Sequence, residues 1–220
     1  MKGTVRKYMR PLLLPWLRRK LKKTTRYRYQ AIELAVFPGV FHPRYFYSTS
    51  VLLDYLETLS VAGERFLEVG AGSGIVAFRA EQLGAVVTAI EITDCAIKGL
   101  LHNKAQLSSQ LNIIQSDLFN EVPEQVFDCI FINPPYYNQN PKEDWEKAWY
   151  CGENFEFYRG LFYTLSTYVH ASTKIIMVLS EDCKLTRIKT IAGAHGWNVV
   201  LIEKVKFKME VNYLFQIIKK

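Results

Sequence analysis

"FLEVGAGSGIVAFRAEQLGAVVTAIE", residues 66–91, decides how this chain is read. A short apolar run, Phe66-Leu67-Glu68-Val69, enters Gly70-Ala71-Gly72-Ser73-Gly74. A helix is predicted from there to about Leu83, where Gly84 stops it, and residues 86–90 form the next apolar run, closed by Glu91. Strand, glycine-rich turn, helix and strand in this order make the βαβ unit of a parallel sheet. Glycines let backbone come close to a ligand, and the helix N-terminus behind them offers unpaired N–H groups. Glu91 lies 21 positions after Gly70, where a carboxylate can accept hydrogen bonds from both hydroxyls of a ribose. The stretch predicts an α/β domain with a nucleotide loop.

The same rhythm continues outward. Helices are predicted over residues 94–107, 155–169 and 184–194, and strands over 112–115, 126–132 and 174–179. Two last strands, 199–204 and 214–218, have only a short link and should pair as an antiparallel hairpin. Upstream, residues 27–36 alternate as one strand closed by the Pro38-Gly39 turn. Residues 48–59 carry apolar side chains at helical spacing behind the candidate caps Ser48, Thr49 and Ser50. The expected architecture is a doubly wound, mostly parallel sheet of about seven strands with a C-terminal antiparallel hairpin, Rossmann-like, preceded by an N-terminal strand and helix. In such sheets ligands bind beyond the carboxyl ends of the strands.

The net charge of +7 is unevenly spread. Eleven basic residues, from Lys2 to Arg28, precede the first acid, Glu33, and the remaining chain holds 17 basic against 21 acidic residues. The chain therefore divides into a basic arm, residues 1–26, and a domain, residues 27–220. Residues 5–23 read as basic helical pieces, interrupted by Pro11 and Pro15. Such an arm suits a phosphate-rich partner, an anionic membrane surface, or simple solvation. The apolar stretch Leu12-Leu13-Leu14-Pro15-Trp16-Leu17 is short and runs into Arg18-Arg19-Lys20, a poor signal peptide. No window approaches the roughly 20 apolar residues that span a bilayer. Cys95, Cys129, Cys151 and Cys183 are scattered without a CxxC pair, so the expectation is reduced, mostly buried thiols in a cytoplasmic protein. His42, His102, His170 and His195 have no ligand spacing, and no metal is expected.

The fourth apolar run of the domain ends abruptly in Asn133-Pro134-Pro135-Tyr136, beside the expected cofactor loop. An amide or exocyclic amine nitrogen is a poor nucleophile because its lone pair is delocalised. Two acceptors facing its NH2 group bias it toward tetrahedral geometry and stabilise the charge that develops. Asn133 offers its side-chain oxygen and Pro134 its carbonyl. Prolines donate no competing N–H and stop the strand. Tyr136 offers a planar face to a flat acceptor.

A dinucleotide fingerprint spaces its glycines as G-x-G-x-x-G, whereas here the third glycine comes one residue early. Glu68, two positions before the first glycine, suits a cationic ligand. Both features resemble the class I S-adenosylmethionine-dependent methyltransferases. The resemblance implies that Glu68, Gly70, Ala71, Gly72 and Gly74 pack around the methionine half of the cofactor and that Glu91 holds the ribose. It further implies that Asp117 accepts from the adenine amino group with Leu118 near the ring, and that Asn133, Pro134, Pro135 and Tyr136 form the catalytic motif beside them, with Asn133 also among the cofactor-binding residues.

"VFPGVFHPRYFYSTSVLLDYLE", residues 36–57, and "GENFEFYRGLF", residues 152–162, resemble the corresponding segments of HemK-type methyltransferases. Where that group has Asp-Thr-Glu after Pro-Arg, this chain has Tyr45-Phe46-Tyr47-Ser48-Thr49-Ser50, so Ser48 or Thr49 faces the cofactor's carboxylate. Asn154-Phe155 stands where Asp-Gly is usual, and the basic arm stands in place of the helical domain of bacterial release-factor enzymes. The implied function is N-methylation of a planar NH2 group, with a glutamine in a release factor or ribosomal protein slightly ahead of an adenine or guanine in rRNA or tRNA. The rivals are a non-catalytic RNA-binding or partner-activating module that keeps the fold, and a nicotinamide dehydrogenase, which the glycine spacing disfavours. Oligomeric state is not legible.

Overall fold

The computed structural model describes residues 23–208 and 210–220. The basic arm falls almost wholly outside the described residues, including all but the last position of its expected helical pieces. The domain proper is a seven-stranded sheet in the order β5-β4-β3-β6-β7-β9-β8. These strands are β3 (Arg65–Val69), β4 (Val86–Glu91), β5 (Asn112–Gln115), β6 (Phe127–Ile132), β7 (Val169–Ser180), β8 (Trp197–Phe207) and β9 (Glu210–Lys219). The first five pair in parallel; β9 runs antiparallel to both β7 and β8. Alternation along β6 explains how the sheet is covered on both faces. Ile130 and Ile132 join one apolar cluster with Met177, Tyr158 and Phe162. Cys129 and Phe131 join the other with Phe66, Phe78 and Leu52.

The helices α1 (Ser48–Leu56), α2 (Ile75–Gln82) and α3 (Asp94–Leu107) bury side chains such as Leu52, Phe78 and Leu100 in the second cluster. The first cluster receives α4 (Glu156–Thr164) and α5 (Leu185–Ala194) through Tyr158, Phe162 and Ile188. The helix expected over residues 155–169 divides, because Leu165–Tyr168 tightens to a 3-10 turn and β7 begins already at Val169. The closing hairpin is longer than expected, with pairing out to Phe207 and Glu210.

The single N-terminal strand expected over residues 27–36 is instead a hairpin. Strands β1 (Thr25–Tyr29) and β2 (Ile32–Val36) pair antiparallel, and Gln30 turns the chain at φ 50°. It is tied to the domain by Asn103 of α3, whose amide mimics a neighbouring strand. Its Oδ1 accepts from Ala35 N–H at 2.9 Å and its Nδ2 donates to Ala35 C=O at 2.9 Å. Asn103 is 1% exposed, so both bonds replace water that the site excludes. No helix among the described residues is long and apolar enough to cross a membrane.

Candidate active site

Strand order places the two motifs side by side. The sheet divides between β3, which leads to β4 and β5, and β6, which leads to β7. Val69 pairs with Ile132, so the next residues, Gly70 and Asn133, leave adjacent strand ends together. A Cβ on Gly70 would lie 4.0 Å from the Asn133 carbonyl oxygen. Beyond these ends opens a cleft of about 530 Å³. Glu68, Gly70, Ala71, Gly72 and Glu91 line one side, Asp117 and Leu118 the floor beyond β5, and Asn133 to Tyr136 the other.

Gly74 is the expected site residue that the cleft does not include. It stands at φ 79° before α2, and a Cβ there would meet Leu100 Cδ2 at 2.4 Å and Phe78 Cε2 at 2.9 Å. Its missing side chain lets α2 and α3 pack, a role in the core. Gly74→Ala combines left-handed strain with overpacking of a buried leucine, and should cost about 2–4 kcal/mol in a denaturant melt. A loss below about 0.5 kcal/mol would show that the contact relaxes freely.

Glu91 is more committed than a free ribose acceptor would be. Its Oε1 accepts from Ile92 N, Thr93 N and Thr93 Oγ1 at 2.9, 2.9 and 3.0 Å. Oε2 accepts from Gly72 N at 2.8 Å, which leaves that oxygen an open lone pair. The carboxylate thus holds the glycine loop in shape and offers one acceptor outward where two were expected. Glu68 is 5% exposed, and its Oε2 accepts from Ala77 N at 2.8 Å. Burial pushes its pKa up to about 8, with the nearby Glu91 charge adding to the rise and the Ala77 bond opposing it.

The amide of Asn133 is held at both ends. Its Nδ2 donates to Ser48 Oγ at 3.3 Å, and its Oδ1 accepts from the Tyr136 hydroxyl at 2.8 Å. Tyr136 therefore does more than present a ring, and burial holds its phenol well above the ordinary value. Pro134 C=O receives no hydrogen bond from the described residues. The next carbonyl, that of Pro135, is taken by the buried Tyr158 hydroxyl at 3.0 Å. Tyr158 fixes the turn so that one proline oxygen is used internally and the other is left open.

Ser48 and Thr49 separate by position. Ser48 is 2% exposed and turns to Asn133, while Thr49 lines the cleft. Further residues complete the walls of the cleft. Val40 and Phe41 arrive from the segment before α1, and Trp149 and Tyr150 from the loop after the prolines. That loop is closed at its neck, where Tyr137 N donates to Trp149 O and Cys151 N to Tyr137 O, each at 2.9 Å. It is held across the cleft by Asp144, whose Oδ2 accepts from the first N–H of α3, Asp94 N, at 3.1 Å. Phe41, Phe46 and Trp149 pack ring against ring at 4.3–5.0 Å. The glycine of the "YRGLF" segment has a use too, because a Cβ on Gly160 would meet Leu118 Cδ1 at 2.8 Å.

Cys129, Cys151 and Cys183 are buried and Cys95 half-buried, all as free thiols. Burial pushes the first three up to about 12, 11 and 12, so none is a ready nucleophile. Among the described residues no group of three or more His, Cys, Asp or Glu side chains is placed to hold a metal.

The donor set fits S-adenosylmethionine and does not fit a pyrophosphate. Glu68, Glu91, Asp117 and Glu156 face the cleft against Lys147, an acidic balance suited to a sulfonium and an ammonium group. Gly70 and Gly72, at φ 72° and 52°, would have a Cβ no nearer than 4.0 Å to any atom, so their backbone is open to a ligand.

Residues 31–148 match the family model "Methyltransferase small domain". A release factor glutamine methyltransferase of Gloeobacter violaceus is 32% identical over 111 residues, covering 48% of this chain and 38% of that protein. The ribosomal protein L11 methyltransferase of Thermotoga petrophila is 28% identical over 79% of this chain and 59% of its own length. The chain thus spans between about two fifths and three fifths of these relatives. The crystal structure of a methyltransferase from Pyrococcus furiosus superposes with a TM-score of 0.62 at 24% identity, over 82% of this chain and 88% of that one. The chain belongs to the methyltransferase small domain family, and its cofactor is S-adenosylmethionine.

Proposed function

We propose that the protein transfers a methyl group from S-adenosylmethionine to the nitrogen of a planar NH2 group, and that this group is a glutamine side chain in a protein of the translation apparatus. When bound, the cofactor supplies an activated methyl group on a sulfonium. The chain's part is then to present the acceptor nitrogen in line and to stabilise its developing charge. One observation carries the reading: the Asn133 side-chain oxygen keeps a lone pair beyond its Tyr136 bond, and the adjacent Pro134 carbonyl has no partner among the described residues. Two acceptors at one strand end suit two N–H donors on one nitrogen. Neighbouring Glu68 and Glu91 serve the cofactor, and Thr49 replaces Ser48 as the candidate for its carboxylate end. The glutamine reading follows the relatives named for release factor glutamine methylation; relatives named for a tRNA adenine and for ribosomal RNA match at similar identity and keep a base nitrogen as the alternative.

The test is transfer of labelled methyl from S-adenosylmethionine into separated release factors, ribosomal proteins, rRNA and tRNA, with the labelled atom mapped by mass spectrometry. Label on a glutamine nitrogen supports the reading; label on a base nitrogen moves it to nucleic acid, and label on carbon or oxygen overturns it. Deleting residues 1–22, which carry eight basic residues, should weaken substrate binding while sparing cofactor affinity. The salt slope of binding should flatten with the deletion; an unchanged slope would remove the arm from the interface.

A further inference from the structure

Charge is uneven within the domain as well as between arm and domain. Residues 184–208 hold six basic side chains, Lys184, Arg187, Lys189, Lys204, Lys206 and Lys208, and one acid, Glu203. The other residues after Arg28 hold 11 basic against 20 acidic. The fold gathers the six at the closing edge of the sheet. Lys204 pairs with Tyr213 and Lys206 with Val211 across the β8–β9 ladder, so both point to the face that α5 covers. Glu203 pairs with Leu214 and turns to the opposite face. Lys184 and Arg187 open α5, and Lys189 follows with its Nζ 5.1 Å from the Phe215 ring centroid. Phe215 lies beside Tyr213 at 6.2 Å, and Lys204 Nζ sits 5.6 Å from the Tyr213 centroid. Lysine, ring, ring and lysine thus run unbroken from helix to edge strand. Lys208 extends the row to the hairpin tip, its Nζ 5.3 Å from the Phe207 centroid. All six cations are exposed, and none forms an ion pair among the described residues.

We propose that this row is a track for the phosphate backbone of single-stranded RNA, running up to the methyl-transfer cleft. Alternate residues of a strand stand about 7 Å apart, close to the separation of successive phosphates, so Lys204 and Lys206 match the repeat of the ligand. Phe207 is 43% exposed and offers an apolar plane on which an unstacked base can rest. The tip is also placed to deliver what it binds. Phe207 stacks on Tyr47 with centroids 4.2 Å apart, and the next residue, Ser48, accepts from Asn133 Nδ2 at 3.3 Å. The cleft itself is acidic, so a phosphate strand is held beside it and not in it. Lysines on an edge strand also discourage pairing with other chains, but that role does not account for the cations of α5. The track does not depend on which nitrogen receives the methyl group, because it serves a protein acceptor seated on ribosomal RNA as well as a base.

The test is binding of a labelled single-stranded RNA of mixed sequence to the full chain, followed by fluorescence anisotropy over a range of salt. Replacing Lys204, Lys206 and Lys208 together by Gln should weaken binding at least about tenfold at low salt. The slope of log affinity against log salt should fall by about two, since each phosphate contact on a single strand contributes roughly 0.7. Arg187→Gln with Lys189→Gln should lower the slope by about one. Arginine at positions 204, 206 and 208 should keep the affinity, and all three variants should hold S-adenosylhomocysteine and melt like wild type. An unchanged slope in both Gln variants would overturn the track and leave RNA binding to the arm. Polyglutamate competing as well as RNA at equal charge would assign the row to an acidic protein surface and overturn it too. Self-association gained by the β8 Gln variant at unchanged RNA affinity would reduce its lysines to guards of the edge. Binding is read without turnover, so failure here removes the track alone and leaves the labelled-methyl test of the reaction to stand or fall by itself.

Discussion

Asn133→Ala should lower methyl transfer about 100- to 1,000-fold, the usual loss when one preorganised group that meets developing charge is removed. Cofactor affinity should stay within about threefold, because the groups around the glycine loop hold one another without Asn133. Glu91 bonds Gly72, Ile92 and Thr93, and Glu68 bonds Ala77. The fold should tolerate the change as well. Asn133 is half-buried, and its truncation gives up its side-chain bonds to Ser48 and Tyr136 without touching the buried core clusters. Isothermal titration with S-adenosylhomocysteine and single-turnover transfer of labelled methyl check the two halves. Wild-type transfer in this variant would sink the two-acceptor mechanism. Equal loss of cofactor binding would instead place Asn133 in the cofactor site alone.

That prediction was available from the sequence because a local pattern carried it. Asn133 to Tyr136 and Gly70 to Gly72 sit at strand ends, and strand ends are what apolar periodicity marks. The parts that were not legible depend on distant partners. Gly74 looks like its neighbouring glycines, and only the packing of Leu100 from α3 gives it a different purpose. Ser48 and Thr49 are chemically alike in sequence; the helix turn on which each falls decides that one holds Asn133 and the other lines the cleft. Glu91 was placed correctly at its strand end, but the N–H groups of Ile92 and Thr93 that occupy Oε1 depend on how the chain bends after β4. The N-terminal hairpin did leave a signal. Its apolar positions shift from odd, Tyr27 and Tyr29, to even, Ile32, Leu34 and Val36, and such a change of phase requires a turn between them. Gln30-Ala31 lacks the usual turn residues, so composition concealed what periodicity contained. The wider pairing of β8 and β9 was concealed likewise, because Lys204 and Lys206 interrupt the apolar run on a strand that is largely exposed.

Glu68→Gln should make the protein more stable and a poorer binder of its cofactor, with both effects growing as pH rises toward 8. The pKa of Glu68 is about 8 in the folded chain against 4.5 for an ordinary glutamate, because burial disfavours the charged form. For an acid whose folded pKa is raised, the stabilising contribution of the protonated form is complete below pH 4.5. It is lost as pH rises through the folded value. The unfolded chain ionises freely across that window and the folded one does not, a cost of about 3 kcal/mol at pH 7 and at most about 5 above pH 8. Glutamine keeps an oxygen for Ala77 N–H and does not ionise, so the variant escapes the cost. Melting temperatures should coincide near pH 4.5 and diverge above it, with the variant higher. A cation in the cleft reverses the preference of Glu68 and favours its carboxylate. Cofactor binding to the wild type should therefore release a proton near pH 7, seen by calorimetry in buffers of different ionisation enthalpy, and affinity should rise with pH up to about 8. In Glu68→Gln the proton release should vanish and affinity should fall at least tenfold. A variant less stable than wild type at pH 8 would show that Glu68 is already ionised in the free protein. Binding without proton release would show that it stays neutral beside the cofactor. Either result would remove Glu68 as the group that exchanges folding stability for recognition of a cation.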